Sequence, residues 1–161
     1  YLEIVRLKTG YYLAAPIVGG AMIAGADTQI LNAIRRYGSY MGPLFQIMDD
    51  IIDLTAGKGR NEIGADIKEG KRSFMVAFVN EHCTAQEKNE MFHILDKTRS
   101  RTTKRDITHV LDIFERYKAI EAGRNYCQTM SRHSRQTLKK VPPRLADALI
   151  AFTEILTCRS G

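Results

Sequence analysis

Apolar positions recur at three- and four-residue steps along almost the whole chain, and apolar–polar alternation is nowhere sustained. Residues 2–25 read as an apolar helix bent at Pro16. It is dense in small residues (Ala14, Ala15, Gly19, Gly20, Ala21, Ala24, Gly25), which permit close approach of a helix or a ligand. Asp27 or Thr28 caps a second helix that runs to about Leu54. Residues 55–72, TAGKGRNEIGADIKEGKR, read as a glycine-rich loop, and a long loop in a compact domain is commonly functional. A short apolar helix follows over 73–82, then a helix opened by the capping box Thr84–Glu87. Further helices are predicted over 104–117, 119–139 and 143–158. Pro142 and Pro143 start the last, and Leu145, Leu149, Ile150, Phe152 and Leu156 form its apolar face. The pattern predicts an all-α protein without strand, repeat or low-complexity segment.

The pattern is interrupted at FQIMDDIIDL, residues 45–54. Gln46, Asp49, Asp50 and Asp53 lie three and four residues apart and share one stripe of the predicted helix, while Leu44, Phe45, Ile47, Met48, Ile51, Ile52 and Leu54 cover the rest. Like charges at that spacing repel by about 0.2–0.5 kcal/mol even in water. Between residues 37 and 57 no lysine relieves them. One reading is a solvated stripe, which Ile51 and Ile52 oppose. The other is a ligand set for a hard divalent cation. Mg²⁺ takes one or two carboxylates, keeps several waters and completes its shell with phosphate oxygens.

Composition narrows the field. A chain of 161 residues, 44% hydrophobic and 26% charged, is long enough to form one domain with its own core. The net charge of +6 lies mostly in the second half: nine Lys/Arg against eight Asp/Glu to residue 80, then fifteen against ten. The basic runs KTRSRTTKR and RHSRQTLKK read as solvated helix ends, so nucleic acid is not an expected partner. Cys83, Cys127 and Cys158 form no CxxC, and His82, His93, His109 and His133 lack metal-ligand spacing, which suits a reducing cytoplasm. The uncharged stretch 11–26 is short for a membrane span. The chain opens in helical pattern without methionine, as a fragment would.

Lysines stand outside the acidic helix. Lys8 and Thr9 precede the long uncharged stretch, and Lys58, Lys68, Lys71 and Arg72 decorate the loop with Asp66 and Glu69 among them. Carboxylate-bound magnesium facing lysines is the chemistry of a diphosphate site. At this point a family resemblance emerges. FQIMDDIID followed by GADIKEGKRS resembles the second aspartate-rich motif of the trans-prenyltransferases, the polyprenyl diphosphate synthases, and KTGYY upstream resembles their Lys-Thr motif. Alone, DDxxD has little specificity; the ordered set of three has much more.

The resemblance implies an isoprenoid-synthase-type helical bundle, with residues 1–161 as the C-terminal half of a single domain. It implies Mg²⁺-dependent head-to-tail condensation of isopentenyl diphosphate with an allylic diphosphate, in a homodimer. Asp49 resembles the principal metal carboxylate, with Asp50 and Asp53 supporting it and Asp66 behind them. Lys8, Lys58 and Lys71 are the expected diphosphate-binding lysines. Thr9 and Gln46, with Lys8, are the expected catalytic groups, steadying the allylic cation. The chain departs from the family in two ways. The family's lysine four or five residues before the counterpart of Asp66 is replaced by Glu62 and Asn61, and no DDxxD occurs apart from residues 49–53. The first aspartate-rich motif is therefore expected in a separate or upstream segment, and the chain alone is expected to be inactive. A class I terpene cyclase and a non-catalytic partner of a prenyl synthase are the alternatives. The Lys-Thr motif and DIKEGKRS disfavour the cyclase, and the intact aspartate set disfavours the bystander.

Overall fold

A computed structural model describes residues 1–55 and 63–157. Among them every regular element is helical: α1 (Leu2–Val5), a π-helical turn (Arg6–Gly10), α2 (Tyr11–Ile23), α3 (Thr28–Thr55), α4 (Ala65–Lys68), α5 (Phe74–His82), α6 (Ala85–Leu95), α7 (Lys104–Arg116), α8 (Ala119–Thr137), a 3₁₀ turn (Leu138–Lys140) and α9 (Pro143–Thr157). The all-α expectation holds. No helix of the described residues is long and apolar enough to cross a membrane. The chain divides into two compact units, one of Tyr1 with Asp49–Arg124, the other of Leu2–Met48 with the residues from Asn125 onward.

In the second unit, α3 buries Ile34, Tyr37, Met41 and Leu44, a stripe at alternating three- and four-residue steps. The Tyr37 hydroxyl donates to the Leu149 carbonyl at 2.9 Å and lies 3.0 Å from Thr153 Oγ1, which fastens α9 to α3. Asp27 Oδ1 accepts the Ile30 N–H at 2.8 Å and caps α3 as expected. The π-helical turn presses its backbone onto α3: a Cβ on Gly42 would stand 2.4 Å from the Gly10 nitrogen, and one on Gly38 2.4 Å from the Ala14 Cβ. A π-helical turn interrupts the first helix at Arg6–Gly10, and α2 includes Pro16. Gly10 lies against the backbone of α3, and that contact is non-local.

In the first unit, α7 packs against α4, α5 and α6 through Ile107, Val110, Ile113 and Phe114. Thr84 and Glu87 form the expected capping box on α6, and Thr103 with Asp106 forms a second on α7. The stretch read as loop over 55–72 holds a helical turn, α4. Four residues are too few for a periodic signal. The basic run at 97–105 is partly paired, Lys97 with Asp106 at 2.7 Å and Arg99 with Glu69 at 2.9 Å.

Candidate functional site

In the first unit the acidic stripe is not solvated. Asp50 is 1% exposed and Asp53 0%, whereas Asp49 is half-buried. Buried carboxylates are costly unless they are paired and hydrogen-bonded. Asp50 has that support. Its Oδ1 accepts from Lys71 Nζ at 2.7 Å, and its Oδ2 from the Tyr1 hydroxyl at 2.7 Å and the Phe74 N–H at 3.4 Å. Phe74 opens α5, so this N–H is one that the helix itself leaves without an acceptor. Tyr1 and Phe74 also meet edge to face at 6.3 Å.

Asp53 has a different task. Its Oδ2 accepts the Asp66 N–H at 2.9 Å, and its carbonyl accepts the Gly64 N–H at 3.0 Å. The returning chain is therefore tied to the end of α3 by one residue twice. Lys71 adds the third tie, bridging Asp50 to Asp66 Oδ2, again at 2.7 Å. Burial alone would lower the Lys71 ammonium, but the hydrogen bonds to Asp50 and Asp66 outweigh it and raise the group from 10.5 to about 12.

Lys71 is aimed by its neighbours. Gly70 has φ +69, and a Cβ there would lie 2.3 Å from the Leu95 carbonyl oxygen. Arg72 donates to that same carbonyl at 3.3 Å and to the Gly70 carbonyl at 2.7 Å, pairs with Asp96, and stacks its guanidinium 5.2 Å from the Phe92 ring. The residues on both sides of Lys71 are thereby fixed to the end of α6.

The geometry brings Asp50, Asp53, Asp66 and Lys71 together. Lys8 and Thr9 lie on the π-helical turn of the other unit, Lys8 exposed and Thr9 half-buried, and Gln46 is half-buried on α3. Lys58, Arg60, Asn61 and Glu62 lie outside the described residues. Tyr1 and the Phe74 N–H were missed by sequence reasoning, as was the role of Arg72. Tyr1 and the Phe74 N–H reach Asp50 across 49 and 24 residues, and Arg72 reaches Asp96 across 24, so these contacts have no local signal.

Among the described residues, no group of three or more His, Cys, Asp or Glu forms a cage that could hold a metal ion. That arrangement still fits Mg²⁺, which needs only one or two carboxylates and takes the remaining oxygens from water and phosphate. The donors present are hard oxygens. Asp50 and Asp53 are buried and hydrogen-bonded, and Asp49 is the most exposed of the three aspartates.

The second unit carries an apolar groove of about 600 Å³ lined by Leu7, Tyr11, Ala14, Val18 and Met22, with Arg35 and Arg36 at its edge. The small residues of α2 open it. Gly19 is among its walls, and a Cβ there would meet nothing within 4 Å. Tyr12 is 81% exposed.

These features define a helical protein with a lysine-bridged carboxylate cluster and a separate apolar groove. Residues 1–114 match the family model for polyprenyl synthetase, and the chain belongs to that family. It is 33% identical over 159 residues to a geranylgeranyl pyrophosphate synthase of Geoglobus acetivorans, covering 93% of this chain and 47% of that protein. It thus spans about half the length of the curated relatives it matches. Its fold matches the crystal structure of geranylgeranyl pyrophosphate synthetase from Pyrococcus horikoshii with a TM-score of 0.86 at 27% identity, over 99% of this chain and 49% of that one. A second match, with a TM-score of 0.83 at 25% identity, covers 99% of this chain and 47% of the other. It is to geranylgeranyl pyrophosphate synthase from Corynebacterium glutamicum, complexed with isoprenyl diphosphate and magnesium.

Proposed function

We propose that this chain carries the allylic-diphosphate side of an Mg²⁺-dependent prenyl-elongating site. One observation carries the reading: in a member of the polyprenyl synthetase family, Asp49 is half-buried beside two aspartates that are buried and tied in place. The Corynebacterium relative, complexed with isoprenyl diphosphate and magnesium, supports the same ligand chemistry.

Each residue then has a task. Asp49 holds the cation, and Asp50, Asp53 and Asp66 keep the helix end and the returning chain in register with it. When bound, Mg²⁺ supplies Lewis-acid stabilisation to a departing diphosphate. By the family resemblance, Lys8 is a candidate diphosphate-binding lysine, with Lys58 as a second. By the same resemblance, Thr9 and Gln46 are the candidates for steadying the allylic cation as the C–O bond breaks. The double bond of isopentenyl diphosphate closes a new carbon–carbon bond, and loss of a proton to the departed diphosphate restores the alkene. The groove walled by Leu7, Tyr11, Val18 and Met22 gives a growing hydrocarbon an apolar surface.

A single acidic cluster anchors only part of the cation set that ionising a diphosphate demands. The second wall must come from outside these 161 residues, and the chain by itself should not turn over. The test has two arms, both on a species of confirmed mass. Calorimetry should show pyrophosphate binding that requires Mg²⁺ and is abolished by EDTA. Labelled isopentenyl diphosphate with geranyl or farnesyl diphosphate should give no longer product from this chain alone. Absence of Mg²⁺-dependent pyrophosphate binding overturns the diphosphate reading, and robust turnover by the 161-residue species overturns the half-site argument.

A further inference from the structure

We infer that Ser100 is a phosphorylation site for a serine/threonine kinase with an acidic substrate cleft, and that its phosphate draws Arg99 off Glu69. The inference is independent of the diphosphate reading, because it rests on the turn that joins α6 to α7.

Thr98, Arg99, Ser100 and Arg101 are all exposed, and Lys104 and Arg105 follow them, exposed in the first turn of α7. Lys97 is not part of this display, being tied to Asp106 at 2.7 Å. Ser100 thus stands between two exposed arginines, with Lys104 and Arg105 just beyond. A cleft lined with carboxylates selects that charge pattern. The Ser100 hydroxyl lies 3.3 Å from the Thr98 hydroxyl, longer than a normal hydroxyl pair and easily given up. The other serines of the described residues are placed differently. Ser73, Ser131 and Ser134 are buried. Ser39 follows Arg35 and Arg36 but lies inside α3, held in helical backbone. A kinase cleft takes its substrate extended, which a surface turn permits and a helix interior does not. The turn is closed by the Arg101 and Thr102 N–H groups on the Thr98 carbonyl, at 2.8 and 3.2 Å, and bonds in an exposed turn open at low cost.

In the transfer, Ser100 Oγ bonds to the γ-phosphorus of ATP and the bond from that phosphorus to the bridging oxygen breaks. ADP departs with that oxygen, and the hydroxyl proton passes to the kinase's base. The product places a charge of about −1.5 to −2 and three acceptor oxygens beside Arg99 and Arg101. Arg99 holds Glu69 Oε1 at 2.9 Å, but the two side chains are 63% and 40% exposed, and such pairs hold weakly. A dianion on the adjacent residue outcompetes one carboxylate for the guanidinium. Glu69 immediately precedes Gly70 and Lys71, whose N–H groups donate to the Ile67 and Asp66 carbonyls. Its release loosens that stretch, which Arg72 still fastens to Asp96 and to the Leu95 carbonyl.

The experiment treats the folded protein carrying this chain with ATP and the isolated catalytic domain of protein kinase C, a probe that accepts basic residues on both sides of a serine. Peptide mapping by mass spectrometry should find phosphate on Ser100. Ser100→Ala should abolish that incorporation and leave the melting temperature unchanged. Amide exchange at Gly70 and Lys71 should accelerate about two- to fivefold on phosphorylation, as the loss of an exposed ion pair allows. Glu69→Gln should give the same acceleration without phosphate, and phosphorylation of that variant should add nothing further. No phosphate on Ser100, or phosphate on Ser39 or a buried serine in its place, would overturn the site. Unchanged exchange at Gly70 and Lys71 in protein phosphorylated on Ser100 would overturn the transfer of Arg99.

Discussion

The two compact units are held together by different means. In the unit of Tyr1 with Asp49–Arg124, polar side chains make many of the decisive contacts: Lys71 between Asp50 and Asp66, Asp53 on the Asp66 amide, Arg72 at the end of α6, and two reciprocal capping boxes. In the unit that begins at Leu2, the decisive contacts are absences of side chain. Gly10, Gly38 and Gly42 let the π-helical turn lie on α3, and Ala14 continues the approach. The first arrangement fixes charged groups to within a hydrogen bond. The second brings backbones close and leaves apolar side chains such as Tyr11, Met22 and Ile23 exposed. One family fold thus supplies both kinds of precision.

The sharpest way to break the comparison is at Asp49. In a catalytically complete protein carrying this chain, Asp49→Ala should lower turnover by about 10²–10³-fold, the usual cost of one strong electrostatic contact to the leaving group. Steady-state rates at saturating Mg²⁺ check it. Near-normal rates would mean that the polar unit serves folding and not chemistry.

Next comes the glycine contact of the other unit. In Gly42→Ala the new methyl would stand 2.4 Å from the Gly10 nitrogen and 2.6 Å from its Cα, and backbone cannot move aside as a side-chain tip can. Overpacking of this kind costs about 1–3 kcal/mol, and chemical denaturation should read a loss in that range. An unchanged midpoint would show that the π-helical turn is not held by close approach.

How much of this was legible in the sequence differs between the units for the same reason. The Thr84–Glu87 box, the Asp27 cap and the apolar periodicity of α3 are local, so reading along the chain finds them. The acidic stripe was visible as an anomaly, but its resolution was not. Asp50 is satisfied by Tyr1, Lys71 and Phe74, which are 49, 21 and 24 residues away. The choice between a solvated edge and a metal-facing edge therefore omitted what the structure contains, in which two of the three aspartates hold the chain's return. Likewise Gly10 could be read as small, but not as lying against Gly38 and Gly42.

The polar unit should also reveal itself in acid. Glu87 is held down from 4.5 to about 2, first by the Tyr117 hydroxyl and then by Thr84, and Asp106 from 3.8 to about 2, first by Lys97. Both are depressed, so the stability they contribute is complete above the ordinary carboxylate range and is lost as pH falls through about 2. Protection of the α6 and α7 amides, taken relative to the intrinsic exchange rate at each pH, should therefore fall progressively between pH 4.5 and about 2, and Glu87→Gln should flatten that slope. A pH-independent profile over this window would detach these ties from stability.

The smallest expected effect has the opposite sign and tests whether glycine in the second unit matters only where backbones touch. Gly20 lies inside α2, is exposed, and has nothing within 4 Å of where its Cβ would be. Its φ is not in the left-handed region, so alanine meets no strain there. What remains is entropy: alanine narrows the unfolded chain and suits a helix interior better, for a gain of about 0.5–1 kcal/mol. In a chain of this size that is roughly 1–4 °C in Tm. Gly20→Ala should thus stabilise while Gly42→Ala destabilises, though the two are the same substitution within helices of one unit. Calorimetric melts of both variants read the contrast directly. If Gly20→Ala destabilised by as much as Gly42→Ala, helix–helix contact would not be what separates them, and the account of this unit as one built on close backbone approach would fail.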